Sequence, residues 1–510
     1  MSDGRKMSRK TPIANFSLNK NQSDSNDQKC VTFNLQKLQE LRIEFGPYLE
    51  KNNPHVIELV DGTCEIFGFE LIKNSKYKIN MNEKLFLFSW TGCTVNVFGE
   101  IQFNYISSTT QMVYYLNLHQ AFQQIRKNNK IAGLRGPRIL VCGSLDCGKT
   151  SLCKILCNYC VRSGEKLILA DFDRKSGIIG LPNSIGCALI DKPIDIECEL
   201  LCDSSFLSPL VYLSPTSINQ SHSSSSSNNL MKSQGKLKNE EISDLKLFEA
   251  PDSNFEELEN KIINNLSEAI NMKFENDEKL NQSGIVVDTS AIVSYEDIRN
   301  ISNIIKLIEI DHVIVIESER IEKQIKFELS KSHSELPKII KVPKSSGVIE
   351  RSTKEHLDLI NLRIHRYFYG PTNSWLPYEI KVKMSEINLF QLISKKIDKS
   401  LLPLGVVLEN EILIELEKLY ISESLSNNIF ATCFLISEKS YENPNNQRDH
   451  GEDNSKPSIQ SLFLTNISGY VLLKEIDMKY KTVTILSTIG PSLVFNNLIF
   501  LSCKFFELVG

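Results

Sequence analysis

One short stretch of the sequence carries the strongest chemical constraint on the fold. After the apolar residues 138–141 come two glycines, Gly143 and Gly148, separated by four residues and followed directly by Lys149 and Thr150. Glycine lets the backbone curl so that its N–H groups point at an anion, and a helix starting there adds its positive dipole end. Lysine supplies a charge for the β- and γ-phosphates of a nucleotide, and the hydroxyl supplies a ligand for Mg²⁺. The spacing therefore predicts a phosphate-binding P-loop.

The same glycines would also suit an ordinary turn between a strand and a helix. The flanking sequence favours the P-loop, because an apolar strand precedes the first glycine and residues 151–157 carry apolar side chains at helical spacing. We therefore predict nucleotide binding, with Lys149 as the residue that contacts the reacting phosphates.

Two acids follow the next predicted strand. The apolar residues 167–170 run into Asp171 and Asp173. A strand-end acid in isolation often only makes a turn, but in P-loop folds it reaches Mg²⁺ or the attacking group. We therefore predict that Thr150 and Asp171 bind the metal.

Hydrophobic patterning divides the chain, which at 510 residues is too long for one core. Residues 31–115 alternate in the manner of short strands and predict an N-terminal β-sandwich domain. Residues 116–376 alternate strands and helices, which predicts a doubly wound, mainly parallel sheet. Short strands return in residues 377–510. The predicted fold is an α/β P-loop NTPase flanked by N-terminal and C-terminal β-rich domains.

Three polar segments are predicted to lie outside these domains. Residues 1–30 have the composition of a disordered tail, and residues 217–238 form a serine-rich insertion that we expect to be disordered. Residues 440–458 are expected to form a mobile loop. No apolar run approaches the roughly 18 residues needed to span a membrane, and the N-terminus lacks the layout of a signal peptide.

Charge and cysteine usage exclude other classes of protein. The net charge of −4 provides no global basic field for nucleic acid, so any RNA contact must be local. The 13 cysteines are scattered without the spacing of a zinc site, which predicts reduced thiols in the cytosol or nucleus.

Beyond the P-loop, a series of motifs resembles the Clp-type polynucleotide 5′-hydroxyl kinases. These proteins are subunits of the pre-mRNA cleavage and polyadenylation machinery, in cleavage factor IA of fungi and cleavage factor II of animals. The matching stretches occur in the same order over most of the chain, which identifies the family more firmly than the P-loop alone. They are residues 40–44, 64–68, 88–93, 115–117, 136–138, 158–162, 209–212, 343–352, 367–370, 402–405 and 469–471.

The resemblance implies that ATP and Mg²⁺ are the cofactors and that the γ-phosphoryl group passes in line to an RNA 5′-hydroxyl. Asp173 matches the aspartate that accepts the proton of that hydroxyl, and Lys149 is the other predicted catalytic residue. The implied ATP contacts lie in the N-terminal domain and the P-loop. They are Glu40, Lys84, Gly143, Asp146, Cys147, Gly148, Lys149, Thr150 and Ser151.

The resemblance also implies a biological setting. It suggests a nuclear protein that acts as a monomer within a hetero-complex, beside a cleavage-factor partner of the Pcf type. RNA 5′ ends are the implied substrate, and no membrane is involved.

Several positions depart from the pattern of active family members. Residues 174–176 read Arg-Lys-Ser where active members have Val-Gly-Gln, and Ile292 stands where a tryptophan would stack on an RNA base. Leu357 and Ile360 occupy positions of lid-helix arginines, which would stabilise charge on the transferring group. The glycine-bearing stretch that clasps RNA is replaced by residues 213–215 and the serine-rich insertion. These losses spare the ATP site and predict weakened or lost phosphoryl transfer.

Three hypotheses therefore stand at this point. The first is an ATP-bound scaffold subunit of an mRNA 3′-end cleavage complex, and the second is an active RNA 5′-hydroxyl kinase that also serves tRNA splicing. The third is an unrelated P-loop GTPase or ATPase switch. The matches in the N-terminal β-domain weaken the third, because switch proteins lack that domain.

Overall fold

The computed structural model describes most of the chain. The described residues are 30–46, 54–175, 177–197, 209–214, 256–332, 336–370, 375–396, 412–433, 464–488, 490 and 497–504. The predicted tail before Cys30, the serine-rich insertion, a strand predicted at 405–408 and the loop predicted at 440–458 lie outside these residues.

The first strands form a sandwich of two antiparallel sheets. One sheet has the order β1-β8-β3-β6 and the other β5-β4-β7-β2-β9. Alternate side chains such as Leu41, Ile43 and Leu87 point between the sheets and are fully buried, as expected for strands with one face on a core. The strands are β1 (Cys30–Leu35), β2 (Gln39–Phe45), β3 (His55–Gly62), β4 (Glu65–Ile66), β5 (Phe69–Glu70), β6 (Lys76–Ile79), β7 (Lys84–Ser89), β8 (Cys93–Phe98) and β9 (Ile101–Ser107).

The central sheet has seven strands in the order β13-β12-β11-β14-β10-β15-β16. Strands β11, β14, β10, β15 and β16 run parallel, and β12 and β13 add an antiparallel edge. This confirms the predicted P-loop fold with a mainly parallel sheet. The strands are β10 (Arg138–Gly143), β11 (Leu167–Phe172), β12 (Ser184–Ile190), β13 (Leu210–Leu213), β14 (Ile285–Thr289), β15 (His312–Ile316) and β16 (Lys338–Val342).

Helices cover the central sheet, so its inner strands are buried along their whole length. Every residue of β10, β11 and β14 is buried, which explains why these strands read as continuous apolar runs. Strand β10 lies between β14 and β15, so the loop after it meets the carboxyl ends of its neighbours. The helices are α1 (Met112–Ala132), α2 (Lys149–Arg162), α3 (Glu256–Asn276), α4 (Glu278–Ser283), α5 (Tyr295–Leu307), α6 (Glu319–Ser332) and α7 (Thr353–Tyr369).

The last sheet also has seven strands, in the order β17-β22-β21-β20-β23-β18-β19. Its pairs are antiparallel except for β18 with β23. It confirms the predicted return to β-structure. The strands are β17 (Tyr378–Lys383), β18 (Asn388–Lys396), β19 (Ile412–Leu419), β20 (Asn428–Cys433), β21 (Ile467–Asp477), β22 (Thr482–Ser487) and β23 (Asn497–Lys504). Within the part of the chain that the structure describes, no helix combines the length and apolar character needed to cross a bilayer.

Helix α2 joins the P-loop to the N-terminal sandwich. Near its end, Asn158 donates from Nδ2 to the carbonyl of Phe67 at 2.9 Å and accepts from the N–H of Ile194 at 2.6 Å. Gly68 has φ +78°, and a Cβ there would lie 3.2 Å from Cβ of Asn158. The close approach of α2 to this turn therefore favours glycine.

We predict that Asn158→Ala destabilises the protein, because the fully buried amide leaves backbone groups without partners when removed. The expected loss is about 2–4 kcal/mol in the free energy of unfolding, since each unsatisfied buried group costs about 1–3 kcal/mol. Chemical denaturation measures the change. Asn128→Ala, an exposed position on α1, is the control and should change stability by less than about 0.5 kcal/mol. Equal midpoints for the two variants would contradict the assigned role of Asn158.

Candidate nucleotide site

The loop after β10 has the backbone shape of an anion cradle. Asp146 and Gly148 have φ of 48° and 89°, in the left-handed region, and α2 begins at Lys149. The ammonium of Lys149 donates to the carbonyl of Ser144 at 2.8 Å. A Cβ at Gly143 would lie 2.7 Å from Sγ of Cys147, so the glycine lets the loop fold back on the strand. N–H groups curled around one point in front of a helix N-terminus suit phosphate.

Two carboxylates lie behind this loop. The hydroxyl of Thr150 donates to Oδ2 of Asp288 at 2.6 Å, at the carboxyl end of β14. Burial, together with the charge of Asp173, raises the pKa of Asp288 to about 6. Sequence reasoning missed Asp288, although an acid at the end of a buried strand was the signal already used for Asp171.

Neither Asp171 nor Asp288 lines the cavity beside the P-loop; their hydrogen-bond partners distinguish them. The carboxylate of Asp171 accepts from the backbone N–H groups of Asp173 at 2.9 Å, Ile179 at 3.1 Å and Ile178. Burial, with the neighbouring acids Asp288 and Asp173, raises the pKa of Asp171 to about 7. Asp171 therefore lies in β11 with its carboxylate bound to backbone N–H groups of residues 173–179, and Asp288 lies beside Thr150 on the neighbouring strand β14.

This arrangement fits a divalent cation next to Thr150 and Asp288. Burial and the charges of neighbouring acids both disfavour the ionised forms of Asp171 and Asp288, and a cation bound beside them would favour the ionised forms. Among the described residues there is no group of three or more His, Cys, Asp or Glu able to hold a metal by themselves. When bound with a nucleotide, Mg²⁺ takes few protein ligands and completes its shell with phosphate and water.

A cavity of about 270 Å³ opens above the P-loop. One wall belongs to the P-loop and the start of α2, a second to β2, β7 and β9, and a third to residues 345–366. Of the predicted nucleotide contacts, only Gly143 and Asp171 are not on its walls. The predicted residues that line it are Glu40, Lys84, Asp146, Cys147, Gly148, Lys149, Thr150, Ser151 and Asp173.

Both N-terminal contacts predicted from the family resemblance are engaged in charged pairs at this cavity. Glu40 accepts from Nε of Arg42 at 2.9 Å and from Nη2 at 2.8 Å, and also from the hydroxyl of Thr110. Lys84 lies 2.7 Å from Oε1 of Glu355 on α7. The hydrogen bond from Lys84 lowers the pKa of Glu355 to about 2. The N-terminal sheet therefore bonds directly to α7 across the cavity.

The segment that leads into α7 also holds the P-loop. The backbone N–H of Arg351 donates to Oδ2 of Asp146 at 2.8 Å, and Nε2 of His356 lies 3.2 Å from the same oxygen. Burial alone would raise the pKa of Asp146, but His356 and Arg351 hold it below its usual value. Ser346 accepts from Nη2 of Arg42 at 3.1 Å. We call residues 343–370 the α7 segment; it contacts both domains that border the cavity.

Among the positions that depart from the family pattern, two are buried isoleucines and two are basic residues. Ile292 is buried, and its N–H donates to the carbonyl of Gly143 at 3.0 Å. Ile360 is buried on the cavity wall. Lys175 also lines the cavity, while Arg174 turns away to pair with Glu259 at 3.1 Å.

Three arginines of the α7 segment reach the cavity. Arg363 donates from Nη1 to the carbonyl of Gly177 at 2.8 Å, and Nη2 of Arg366 lies 3.6 Å from Glu83. Nη1 of Arg351 lies 3.9 Å from Asp146. The cavity therefore has more basic side chains on its walls than the loss of arginines at positions 357 and 360 led us to expect.

The fold and this site define a P-loop NTPase-type protein flanked by two β-rich domains. Three family models match along the chain: the N-terminal beta-sandwich domain of polyadenylation factor over residues 34–129, the mRNA cleavage and polyadenylation factor CLP1 P-loop over 143–241 and 248–370, and the pre-mRNA cleavage complex II protein Clp1 over 376–507. The chain belongs to the Clp1 family.

Similar proteins cover nearly the whole chain. It is 28% identical to the polyribonucleotide 5′-hydroxyl-kinase Clp1 of Homo sapiens, over 95% of this chain and 99% of that protein. It is 30% identical to the protein of the same name from Xenopus tropicalis, over 74% and 76%. The wild-type Clp1p–Pcf11p complex has the same fold, with a TM-score of 0.70 at 18% identity over 94% of this chain and 99% of that one.

We predict that Asp288→Asn weakens Mg²⁺-dependent ATP binding, because it removes the negative charge beside Thr150. The expected rise in Kd is roughly tenfold or more, measured by calorimetry with Mg²⁺ and again with EDTA. Asp171→Asn is the matched comparison. If it reduces the Mg²⁺ dependence and Asp288→Asn does not, the metal ligand is the one predicted from sequence.

Proposed function

We propose that this protein is an ATP-binding, Clp1-type subunit of a nuclear mRNA 3′-end cleavage and polyadenylation complex, and that its transfer of phosphate to RNA 5′-hydroxyls is weakened or lost. The observation that carries the proposal is the phosphate cradle itself. It keeps its glycines, its lysine and its hydroxyl, and it is tied at Asp146 to the α7 segment.

The ATP-binding part rests on the residues around the cradle. Gly143 and residues 146–151 would hold the phosphates, with Lys149 supplying the positive charge. Thr150 and Asp288 would hold Mg²⁺, which supplies charge neutralisation at the phosphates when bound. Glu40 and Lys84 offer contacts from the N-terminal domain.

The weakened transfer rests on what faces the substrate end of the cavity. Asp173 lines the cavity, and its carboxylate is of the type that accepts a proton in this reaction. The residues that would position RNA next to it differ from those of active kinases. Ile292 has no π-face and is buried against the P-loop. Ile360 places an aliphatic side chain on the wall where an arginine would stabilise developing charge.

In this reading the bound ATP has a structural role. The N-terminal sheet and the α7 segment already meet through Lys84 and Glu355, and through Arg42 and Ser346. A triphosphate bound between these elements would favour the closed arrangement. Any ligand that binds only the folded state stabilises it by mass action.

The partner and location follow from the relatives. The solved structures similar to this chain contain Clp1p with Pcf11p. We therefore propose a partner of the Pcf type, a position as one subunit within a hetero-complex, and a nuclear location.

One observation favours the second candidate, an active RNA 5′-hydroxyl kinase in mRNA 3′-end processing and tRNA splicing. Lys175 and Arg363 line the same cavity as Asp173 and Lys149. Both side chains bring positive charge to the cavity wall. Such cations would replace part of the lost charge stabilisation.

A phosphoryl-transfer assay separates the two candidates. The purified full chain is incubated with labelled ATP, Mg²⁺ and a 5′-hydroxyl RNA oligonucleotide. We expect ATP to bind without labelling of the RNA. RNA labelling that disappears in Lys149→Ala but persists in Lys127→Ala, an exposed lysine on α1, would establish the kinase instead.

We also predict that ATP raises the melting temperature of the wild type but not of Lys149→Ala. Ligand at one hundred times its Kd adds about 2.7 kcal/mol to the stability of the folded state. Scanning calorimetry at matched ATP concentrations measures the shift, with Lys127→Ala as the control. Identical melting of the wild type with and without ATP would contradict a structural nucleotide.

A further inference from the structure

Two of the stretches that match the family pattern lie outside the nucleotide cavity and contact each other. Residues 367–370 contain the end of α7, and residues 469–471 lie on β21 of the last sheet. Tyr367 and Tyr470 are 103 residues apart in the chain, yet their ring centroids lie 5.3 Å apart at an angle of 86°. The backbone N–H of Tyr470 donates to the hydroxyl of Tyr367 at 3.0 Å. The two motifs therefore join α7 to the C-terminal domain.

The hydroxyl of Tyr470 holds a loop of the central domain. It donates to Oγ of Ser184 at 3.0 Å and accepts from the backbone N–H of Leu181 at 3.2 Å. A second strand of the last sheet contributes as well, because Nδ2 of Asn183 donates to the carbonyl of Leu501 on β23 at 2.6 Å. The C-terminal sheet thus holds residues 177–184, which we call the 177–184 loop, from two of its strands.

The 177–184 loop is bonded in turn to the backbone beside the cavity. The N–H of Asn183 donates to the carbonyl of Arg174 at 2.8 Å. Arg174 lies between Asp173 and Lys175, and the side chains of both these neighbours line the cavity. A displacement of the loop would therefore move two charged groups of the cavity wall.

The start of the same loop is bonded to α7. The carbonyl of Gly177 accepts from Nη1 of Arg363 at 2.8 Å, and Arg363 lines the cavity. Arg363 precedes Tyr367 by four residues, so both side chains lie on one face of the helix. The two tyrosines and the loop therefore hold the end of α7 together.

The other end of α7 contacts the P-loop and the N-terminal sheet. Nε2 of His356 lies 3.2 Å from Oδ2 of Asp146, and Glu355 lies 2.7 Å from Nζ of Lys84. One helix thus connects the C-terminal domain, through Tyr367, to two walls of the cavity. Because a helix is a rigid element, the contact at its end influences the position of its start.

Packing supports this connection. Alternate residues of a strand point to opposite faces, and β21 divides its side chains between two cores. Tyr470 and Leu472 belong to the hydrophobic core that contains the central sheet, whereas Val471 and Leu473 belong to a separate core on the other face of the last sheet. Close-packed interiors transmit strain, so the first core couples the last sheet to the central domain.

We propose that Tyr367 and Tyr470 are positioning residues through which the C-terminal sheet controls the affinity of the cavity for nucleotide. Neither side chain lines the cavity, and they act through α7 and the 177–184 loop. A site whose walls are already held in place loses less conformational freedom when its ligand binds. The inference rests on the ATP binding proposed above and adds a domain on which that binding depends.

Conservative variants of the tyrosines test this role. Tyr470→Phe and Tyr367→Phe keep the rings and remove only the hydroxyls that bond the loop and β21. In the full chain, each should raise the Kd for ATP with Mg²⁺ roughly 3- to 30-fold, the usual range for residues that couple distant sites. Titration calorimetry measures the change.

A matched variant separates positioning from stability. Ile485→Val removes one buried methylene from the separate core of the same sheet. It should lower the melting temperature of the ligand-free protein but change the Kd for ATP by less than about twofold, because Ile485 contacts neither α7 nor the loop through any bond described here.

Thermodynamic coupling is reciprocal, which gives a second readout. If the C-terminal contacts favour ATP binding, then ATP must strengthen those contacts. Hydrogen exchange of the full chain should therefore slow on addition of ATP and Mg²⁺ in residues 177–184 and 467–473. The slowing in residues 177–184 should be lost in Tyr470→Phe, a result that a purely structural role would not produce.

Unchanged ATP affinity in both tyrosine variants would overturn the inference, as would an equal loss of affinity in Ile485→Val or protection by ATP that is confined to the cavity walls. If Tyr470→Phe does not fold, Ser184→Ala removes only the acceptor of its hydroxyl and is held to the same expectations. A wild type that does not bind ATP would instead refute the proposed function itself. The two failures are therefore distinguishable.

Discussion

The buried carboxylate of Glu65 holds the N-terminal sandwich in a fixed position relative to the P-loop. It accepts hydrogen bonds from the hydroxyl of Tyr159 and from Nη1 of Arg162 at 2.7 Å, both on the last turns of α2. The first residue of α2 is Lys149. One helix thus carries the cradle at its start and the domain contact at its end. Because the helix is rigid, the contact at its end fixes the position of the N-terminal domain, and that domain forms one wall of the cavity.

Acidic and basic side chains lie close together around the P-loop. Asp171, Asp173 and Asp288 lie at the ends of neighbouring strands, where burial raises the pKa values of Asp171 and Asp288 and the charges of neighbouring acids add to the shift. Opposite them, the α7 segment and the N-terminal sheet supply arginines and lysines that pair with acids of the walls.

Local patterns in the sequence predicted the P-loop, the three-part architecture and most strands of the central sheet, because buried parallel strands are continuous apolar runs bounded by turns. The antiparallel pair of β12 and β13 was not predicted, since Gly186, Cys187 and Ala188 give β12 no strong β-forming pattern. The choice between Asp171 and Asp288 also lay beyond the pattern. Both lie near the ends of buried strands, and only the structure shows that Asp288 accepts from Thr150 while Asp171 accepts from backbone N–H groups of residues 173–179. The wall that β7, β2 and β9 give to the cavity depends on register between strands far apart in sequence, which spacing alone does not reveal.

The antiparallel strands β12 and β13 affect where the chain can be cut into separate domains. Strand β13 is the last strand on its side of the central sheet, and unpaired strand edges invite pairing between molecules. Here the backbone N–H of Val211 donates to the side chain of Asn466, and the hydroxyl of Tyr470 donates to Ser184 on β12. Tyr470 belongs to β21 and Asn466 directly precedes it, so the C-terminal domain covers this edge. Removal of that domain would expose the edge of β13, and the P-loop domain alone would then be prone to pair with a second copy of itself.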